Sequence, residues 1–168
     1  KRFAACGLSR EALGVAYGLA ENTLIVSING RITLNLDRRL LQRDQLRMGL
    51  SSEAFPEPFR LMSAGKPIGG VEVIVVSPDE KRNLGENAIG EIWVRGESKA
   101  AGYWNSPQGT AAALDGEGWF HSGDLARRDE EGFFYIAGRH KDMIISGGVN
   151  VYPAEIEAEL VRHPQVED

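Results

Sequence analysis

The chain has 168 residues, of which 42% are hydrophobic and 26% are charged, and its net charge at pH 7 is −5. This composition is typical of a globular protein. It excludes a disordered, collagen-like or coiled-coil chain and gives no overall attraction to nucleic acid or anionic membranes. The longest apolar runs have the length of strands, and the single cysteine, Cys6, excludes an intrachain disulfide and a cysteine-cluster metal site. We therefore expect a cytoplasmic protein with no membrane span and no nucleic-acid partner.

The N-terminal part of the chain predicts a helical turn, strands and one longer helix. Ser9 is a residue type that caps helices, and a short turn is expected after it. The β-branched, apolar run from Thr23 to Ile28 predicts a strand, while residues 32–36 alternate only weakly. A helix is predicted from Arg38 to Met48, and prolines predict a loop at residues 56–58.

The middle of the chain is rich in predicted strands. Val71 to Ser77 and Glu91 to Val94 are apolar runs of strand length, and a short helix is predicted after Ser106 because proline follows it. Leu125 to Arg128 and Phe133 to Ala137 predict a hairpin, since a turn that ends in glycine separates them. Short turns join these strands, so an antiparallel sheet or a small barrel is favoured over a parallel sheet.

The C-terminal part predicts a short strand and a helix. The strand covers Met143 to Ile145, and the helix begins at Pro153 and ends before Pro164. Four aromatic residues are expected to pack in the core rather than to stack on a ligand: Trp93, Tyr103, Trp104 and Trp119.

One candidate ligand-binding segment places an aromatic residue, a glycine and a carboxylate close together at the end of a strand. Tyr17 could lie flat on a purine, with Gly18 leaving room for the ligand. Glu21 could hold Mg²⁺, which prefers carboxylate and phosphate oxygens. The alternative interpretation is a buried tyrosine and a surface glutamate.

Two further candidates lie in the second half of the chain. Asp124 follows a glycine turn, and its carboxylate could accept hydrogen bonds from two hydroxyl groups of a ribose. Arg139 follows a predicted strand, and its guanidinium suits phosphate or ribose oxygens. An Asx turn and a solvated run of charges are the alternative interpretations of these two positions.

Six segments, taken in order, resemble the adenylate-forming (AMP-binding) superfamily, which includes acyl-CoA synthetases, luciferases and adenylation domains. The resemblance extends from about residue 17 to the C terminus, and the stretch from 118 to 157 is the most specific part. The segments are Tyr17 to Glu21, Gly90 to Gly96, Gly102 to Trp104, Gly118 to Asp124, Gly138 to Ile144 and Tyr152 to Glu157.

Within the superfamily, the chain looks most like a fatty acyl-AMP ligase. The residue sequence from Tyr17 to Ser27 is similar to that of these ligases. The segment from Asn22 to Ala64 is long, and these ligases carry an insertion in that region. The segment from Ser146 to Glu157 instead resembles the acyl-CoA synthetases. The thiol acceptor that the resemblance implies is therefore an acyl carrier protein, with coenzyme A as the alternative.

The resemblance also implies roles for individual residues. Tyr17 would face the adenine and Glu21 would bind Mg²⁺. Asp124 would bind the ribose hydroxyls with Arg139 beside them. Lys141 matches the hinge about which a small C-terminal domain rotates between two half-reactions.

The fold that the resemblance implies is α+β with three parts. Residues 1–30 would be the end of a βαβ-type, nucleotide-binding subdomain. Residues 31–138 would hold the insertion segment and a mainly antiparallel, distorted barrel-like subdomain. Residues 139–168 would be the hinge and the start of a small C-terminal α+β domain.

The implied reaction joins a fatty or other carboxylic acid to ATP, giving an acyl-adenylate and pyrophosphate, followed by acyl transfer to a phosphopantetheine thiol. Such ligases serve fatty acid metabolism and polyketide or nonribosomal peptide biosynthesis. The family's phosphate loop would precede residue 1, and its catalytic lysine would follow Asp168. We therefore expect the chain to be a fragment that holds no catalytic residue and is inactive alone. A non-catalytic remnant is the alternative.

Overall fold

The computed structural model describes residues 3–36, 59–147 and 149–166. The described strands are β1 (Val15–Gly18), β2 (Ile25–Gly30), β3 (Thr33–Leu36), β4 (Phe59–Pro67), β5 (Val71–Val76), β6 (Ile89–Gly96), β7 (Phe120–Arg128), β8 (Phe134–Arg139), β9 (Ile144–Ser146) and β10 (Val149–Val151). The described α-helices are α1 (Pro107–Ala113) and α2 (Pro153–Leu160). Short 3₁₀ turns cover Ala4–Cys6, Arg10–Ala12, Ala20–Asn22 and His140–Asp142.

Eight of these strands form one antiparallel sheet. Its order is β1-β2-β4-β8-β7-β6-β5, with β3 paired to β4 beside that path, and β9 and β10 form a separate hairpin. The α+β class and the mainly antiparallel sheet expected from the sequence are confirmed. The sequence predicts a boundary between two subdomains at residue 30, and hydrogen bonds from β2 to β4 join the two sides of it. The division of the chain into three parts stays a prediction.

Strand β4 was not predicted from the sequence. Its N-terminal half pairs with β3, and its C-terminal half pairs with β2 and β8. Gly65 in β4 has a φ of +92°, and a Cβ atom there would lie 1.8 Å from the carbonyl oxygen of Ile28. Contacts with strands distant in sequence therefore hold this segment extended, and such contacts leave no alternating pattern in the chain. The helix predicted at 38–48 and the loop at 56–58 lie outside the described residues.

The predicted hairpin at the centre of the sheet is confirmed, and both of its strands are longer than expected. The register of β7 and β8 pairs Asp124 with Arg139 at one end of the hairpin and Arg128 with Phe134 at the other. In the turn, the amide of Asp129 donates to the carbonyl of Phe133 over 3.0 Å. The hairpin thereby places two of the predicted site residues side by side.

Both faces of the sheet carry buried side chains. Successive residues of β7 and β8 point to opposite faces, so they contribute to two separate clusters. One cluster contains Val26, Val71, Val73, Val75, Ile92, Val94, Ala126 and Phe134, and the other contains Leu61, Leu125, Tyr135, Ala137 and Tyr152. In the described part of the chain, no helix has the length and apolar character needed to cross a membrane.

The four aromatic residues expected in the core differ in their burial. Trp93 and Trp119 are buried as predicted, at 9% and 8% exposure. The prediction is wrong for Tyr103 and Trp104, which are 42% and 92% exposed. Both follow Gly102 in the loop before α1, and an apolar residue in such a loop has no sheet face to cover it.

Candidate functional site

The candidate site is built on a bulge in β7. Glu91 of β6 pairs with Leu125 of β7, and Trp93 pairs with His121. One residue of β6 therefore faces three residues of β7, which are Ser122, Gly123 and Asp124. Gly123 has a φ of +73°, a conformation that favours glycine. The bulge separates Asp124 from β6 while keeping it paired to Arg139, the last residue of β8.

Asp124 is the centre of a three-residue cluster. The Tyr17 hydroxyl donates to Asp124 Oδ2 over 2.5 Å, and Arg139 Nε donates to Oδ1 over 2.7 Å. Tyr17 lies 107 positions from Asp124 in the chain and reaches it from the end of β1. The structure thus brings three of the residues predicted from separate motifs into direct contact.

The electrostatics of the cluster follow from this contact. Burial raises the pKa of Tyr17 far above its ordinary value, and the hydrogen bond to the Asp124 carboxylate raises it further. The same carboxylate raises the pKa of Arg139. Tyr17 is therefore a neutral hydrogen-bond donor and Arg139 a permanent cation at any physiological pH, and both orient Asp124.

A second pair lies at the neighbouring 3₁₀ turn. The Tyr103 hydroxyl donates to Glu21 Oε1 over 2.6 Å. This bond, together with desolvation and the charge of Glu21, raises the pKa of Tyr103 to about 12. The turn is fixed by Asn22, which is 1% exposed, donates to the carbonyl of Ile25 and accepts from the Ser98 hydroxyl. Glu21 is therefore held in place by the backbone around it.

Glu21 has the chemistry of a single magnesium ligand. Among the described residues, no three His, Cys, Asp or Glu side chains gather as they would around a metal held by protein alone. Mg²⁺ commonly binds through one or two carboxylates, with its other ligands supplied by phosphate oxygens and water. Glu21, as a lone carboxylate on this turn, fits that arrangement.

A cleft of about 220 Å³ adjoins Glu21 and Tyr103. Its walls are mostly apolar, and the carboxylate and the phenol are the polar groups on it. The lining residues are Ala20, Glu21, Ala100, Gly102, Tyr103, Leu114 and Phe120. The positive charge of Arg139 opposes part of the rise in the pKa of both Tyr17 and Tyr103. The electrostatic effect of Arg139 therefore extends to the Asp124 cluster and to the cleft.

Other predicted site residues are not part of this arrangement. A Cβ atom on Gly18 would lie 1.9 Å from the carbonyl oxygen of Leu24, so a close backbone approach already requires glycine there. Lys141 is exposed in the 3₁₀ turn that follows β8, two residues after Arg139 and beyond the sheet.

Sequence reasoning missed two residues of the site. Tyr103 was expected in the core, although its segment was among those that carry the family resemblance. Glu91 received no role, yet its Oε1 accepts the amide proton of Gly123 over 2.9 Å within the bulge. No pattern along the chain signals such a bond, because its two ends lie 32 positions apart.

Comparison with known proteins identifies the family. A sequence model described as AMP-binding enzyme matches residues 1–104, which is more than half of the chain. The chain therefore belongs to the AMP-binding enzyme family, as the resemblance implied.

Relatives and solved structures extend the match along the chain. It is 46% identical over 109 residues to a 2-succinylbenzoate–CoA ligase from Geobacillus kaustophilus, covering 65% of this chain and 22% of that protein. It is 41% identical over 166 residues to a mitochondrial medium-chain acyl-CoA ligase from Mus musculus, covering 96% and 23%. The chain thus spans less than a quarter of the length of these curated relatives.

A solved structure from a study of fatty acyl-adenylate ligases of E. coli and L. pneumophila superposes with a TM-score of 0.84. Its sequence is 25% identical, and the match covers 99% of this chain and 30% of that one. The structural match therefore agrees with the family that the sequence model identifies.

Proposed function

We propose that the full-length protein activates a carboxylic acid by reaction with ATP, and that this acid is a fatty acid. The products are an acyl-adenylate and pyrophosphate, and the acyl group then passes to the phosphopantetheine thiol of an acyl carrier protein. Membership of the AMP-binding enzyme family supports the first half-reaction. The observation that carries the proposal is the Asp124 cluster, which has the donors and acceptors that a nucleoside needs.

Asp124 has the capacity to bind two hydroxyl groups at once. An ionised carboxylate offers about four lone-pair positions, and Tyr17 and Arg139 occupy one on each oxygen. The remaining positions can accept the two vicinal hydroxyls of a ribose. Because both oxygens are already fixed, little reorganisation accompanies binding.

The cleft at Glu21 and Tyr103 supplies the other contacts of the proposed site. Tyr17 and the apolar walls provide surfaces against which an adenine ring can pack, and Arg139 supplies a positive charge near the ribose and phosphates. Low exposure of the acyl-adenylate to water would protect it from hydrolysis. The side chain of Asp124 is 14% exposed, and such partial burial strengthens the hydrogen bonds that its carboxylate accepts.

Glu21 is the residue that would hold Mg²⁺. The chemical difficulty of the first half-reaction is charge, because an anionic carboxylate must approach an anionic α-phosphate. A bound Mg²⁺ ion offsets that repulsion. The hydrogen bond from Tyr103 fixes one oxygen of Glu21 and leaves the other available to the ion.

The acceptor thiol is the point at which two candidates compete. The carrier protein is supported by the superposition on a fatty acyl-adenylate ligase structure and by the resemblance from Tyr17 to Ser27. Coenzyme A is the second candidate, supported by the identities of 46% and 41% to proteins named as CoA ligases.

The experiment that tests the proposal supplies the full-length protein with ATP, Mg²⁺ and a fatty acid. One reaction contains phosphopantetheinylated acyl carrier protein and the other contains coenzyme A, and mass spectrometry detects the acyl thioester. We expect the carrier thioester as the faster product. A thioester only with coenzyme A would establish the second candidate, and the absence of both thioester and acyl-adenylate would contradict the proposed function.

A further inference from the structure

The bulge in β7 leaves backbone amides that side chains, not a neighbouring strand, must satisfy. The amide of Gly123 donates to Glu91 Oε1 over 2.9 Å, and the amide of Asp124 donates to the Ser122 hydroxyl over 3.1 Å. Ser122 in turn donates to the carbonyl of Ile92 over 2.7 Å. The conformation that presents Asp124 thus depends on two side chains, of which Ser122 is local and Glu91 comes from the adjacent strand.

Glu91 is an unusual residue at its position. It lies in the middle of β6 and is 9% exposed, where a carboxylate is costly unless it is hydrogen-bonded. Its second oxygen, Oε2, accepts the indole proton of Trp93 over 2.9 Å, and the ammonium group of Lys81 lies 4.0 Å from the same oxygen. Each oxygen of this carboxylate therefore faces one fixed donor.

We propose that Glu91 is a positioning residue for nucleotide recognition, because it holds Gly123 in the conformation that aims Asp124 at the ribose. This inference rests on the proposed function, since it takes Asp124 as the ribose acceptor. Gly123 has a φ of +73° and no side chain to restrict it, so without an anchor it can leave that conformation easily. The Glu91 carboxylate supplies the anchor from outside the bulge.

The geometry makes a specific demand for a carboxylate. Two donors approach from different sides, and only a group with two acceptor oxygens satisfies both. Glutamine has one acceptor oxygen and one NH₂ group. Glu91→Gln must therefore set its NH₂ group against the amide of Gly123 or the indole of Trp93, leaving a buried donor unsatisfied.

The expected consequence is a loss of ribose discrimination. In the full-length protein, kcat/KM for ATP divided by kcat/KM for 2′-deoxy-ATP measures how much the hydroxyl contributes. We expect Glu91→Gln to lower this ratio about tenfold, which is the size of effect expected from the loss of one charge-assisted hydrogen bond. We expect the KM for ATP to rise while the KM for the acid stays unchanged, a split that general destabilisation would not give.

A second variant keeps the test decisive if Glu91→Gln folds poorly. Trp93→Phe removes the indole donor but keeps a ring against His121, whose ring centroid lies 3.8 Å from that of Trp93. In this background, the single oxygen of glutamine can face Gly123. We therefore expect Glu91→Gln to change the ATP ratio and the melting temperature far less when Trp93→Phe is present.

Two controls separate the possible outcomes. Glu72→Gln makes the same chemical change at an exposed carboxylate of β5 that pairs with Arg95, and we expect it to leave the ratio unchanged. Asp124→Asn should lower the ratio. If Asp124→Asn lowers it and Glu91→Gln does not, in either background, the positioning role is wrong and the proposed function stands. If Asp124→Asn leaves the ratio unchanged, the ribose assignment and the inference drawn from it are both overturned.

Discussion

At the scale of single residues, Asp124 derives its chemistry from its neighbours. Its two oxygens are held by a phenol that burial keeps neutral and by a guanidinium that stays charged, so the carboxylate points in one direction. A carboxylate in solution would have to lose that freedom on binding a nucleotide. Here the fold has already removed it.

The first residue-scale prediction concerns Asp124→Ala in the full-length protein. The change removes the proposed acceptor of two ribose hydroxyls, so we expect kcat/KM for ATP to fall about 10- to 100-fold, in the range of charge-assisted hydrogen bonds. The affinity for the carboxylic acid should change little. Steady-state kinetics with each substrate varied in turn provide the measurement.

Asp79→Ala is the matched control for this prediction, because Asp79 lies on an exposed turn between β5 and β6. It should retain the kinetics of the wild type. Unchanged KM for ATP and unchanged kcat in Asp124→Ala would reject the assigned role.

The sequence named three residues of this cluster, and their proposed roles in binding a ligand stay predictions. Tyr17, Asp124 and Arg139 were each singled out from residue type and local turn, and their meeting is a finding of the structure. The sequence does not predict that Tyr103 and Glu91 belong to the site, because their hydrogen-bond partners are 82 and 32 positions away in the chain. A hydrogen bond over such a separation depends on strand pairing, which no window of residues contains.

At the scale of secondary-structure elements, the strands that the sequence predicts are those with a local pattern, and the others depend on pairing with strands distant in the chain. β5 and β6 have apolar, β-branched runs, and the β7–β8 turn has a recognisable glycine, so these elements were predicted. β4 contains serine, glycine and lysine in its second half, and its extended conformation comes from three neighbouring strands. The bulge in β7 is likewise visible only as a shift in register.

The 3₁₀ turn after β8 is the element to which the hinge role was assigned. It covers His140–Asp142, and the amide of Met143 donates to the carbonyl of His140 over 3.3 Å. A hinge residue absorbs a large change of φ and ψ between two domain positions. Lys141 is exposed at the centre of this turn, where such a change would meet little steric resistance.

The element-scale prediction uses proline at this position. Lys141→Pro fixes φ near −65° and should freeze one arrangement of the full-length protein. We expect adenylate formation to survive largely and thioester formation to collapse, as measured by single-turnover assays of each half-reaction. Lys141→Ala keeps backbone freedom and serves as the control, with a much smaller effect. Equal loss of both half-reactions with proline, or equal harm from alanine and proline, would show that Lys141 is not a hinge.

At the scale of the whole molecule, the sheet is one continuous unit with apolar residues on both faces. Tyr152, from the segment expected to begin the C-terminal domain, is 1% exposed and packs with Leu61 and Leu125 of the sheet. Any rotation about Lys141 that carried Tyr152 away would uncover this cluster. The domain boundaries proposed from the sequence therefore imply that the C-terminal segment docks on the sheet in one of its positions.

In the proposed function, the full-length protein forms an acyl-adenylate at a site to which this chain contributes the nucleoside contacts. Exchange of labelled pyrophosphate into ATP, measured with and without a fatty acid, tests it most directly because the exchange requires reversible formation of the adenylate. We predict exchange that depends on the fatty acid and on Mg²⁺ and that is strongly reduced in Asp124→Ala. Absence of exchange with carboxylic acids of any chain length, or ATP turnover that does not depend on an acid, would contradict the proposed function.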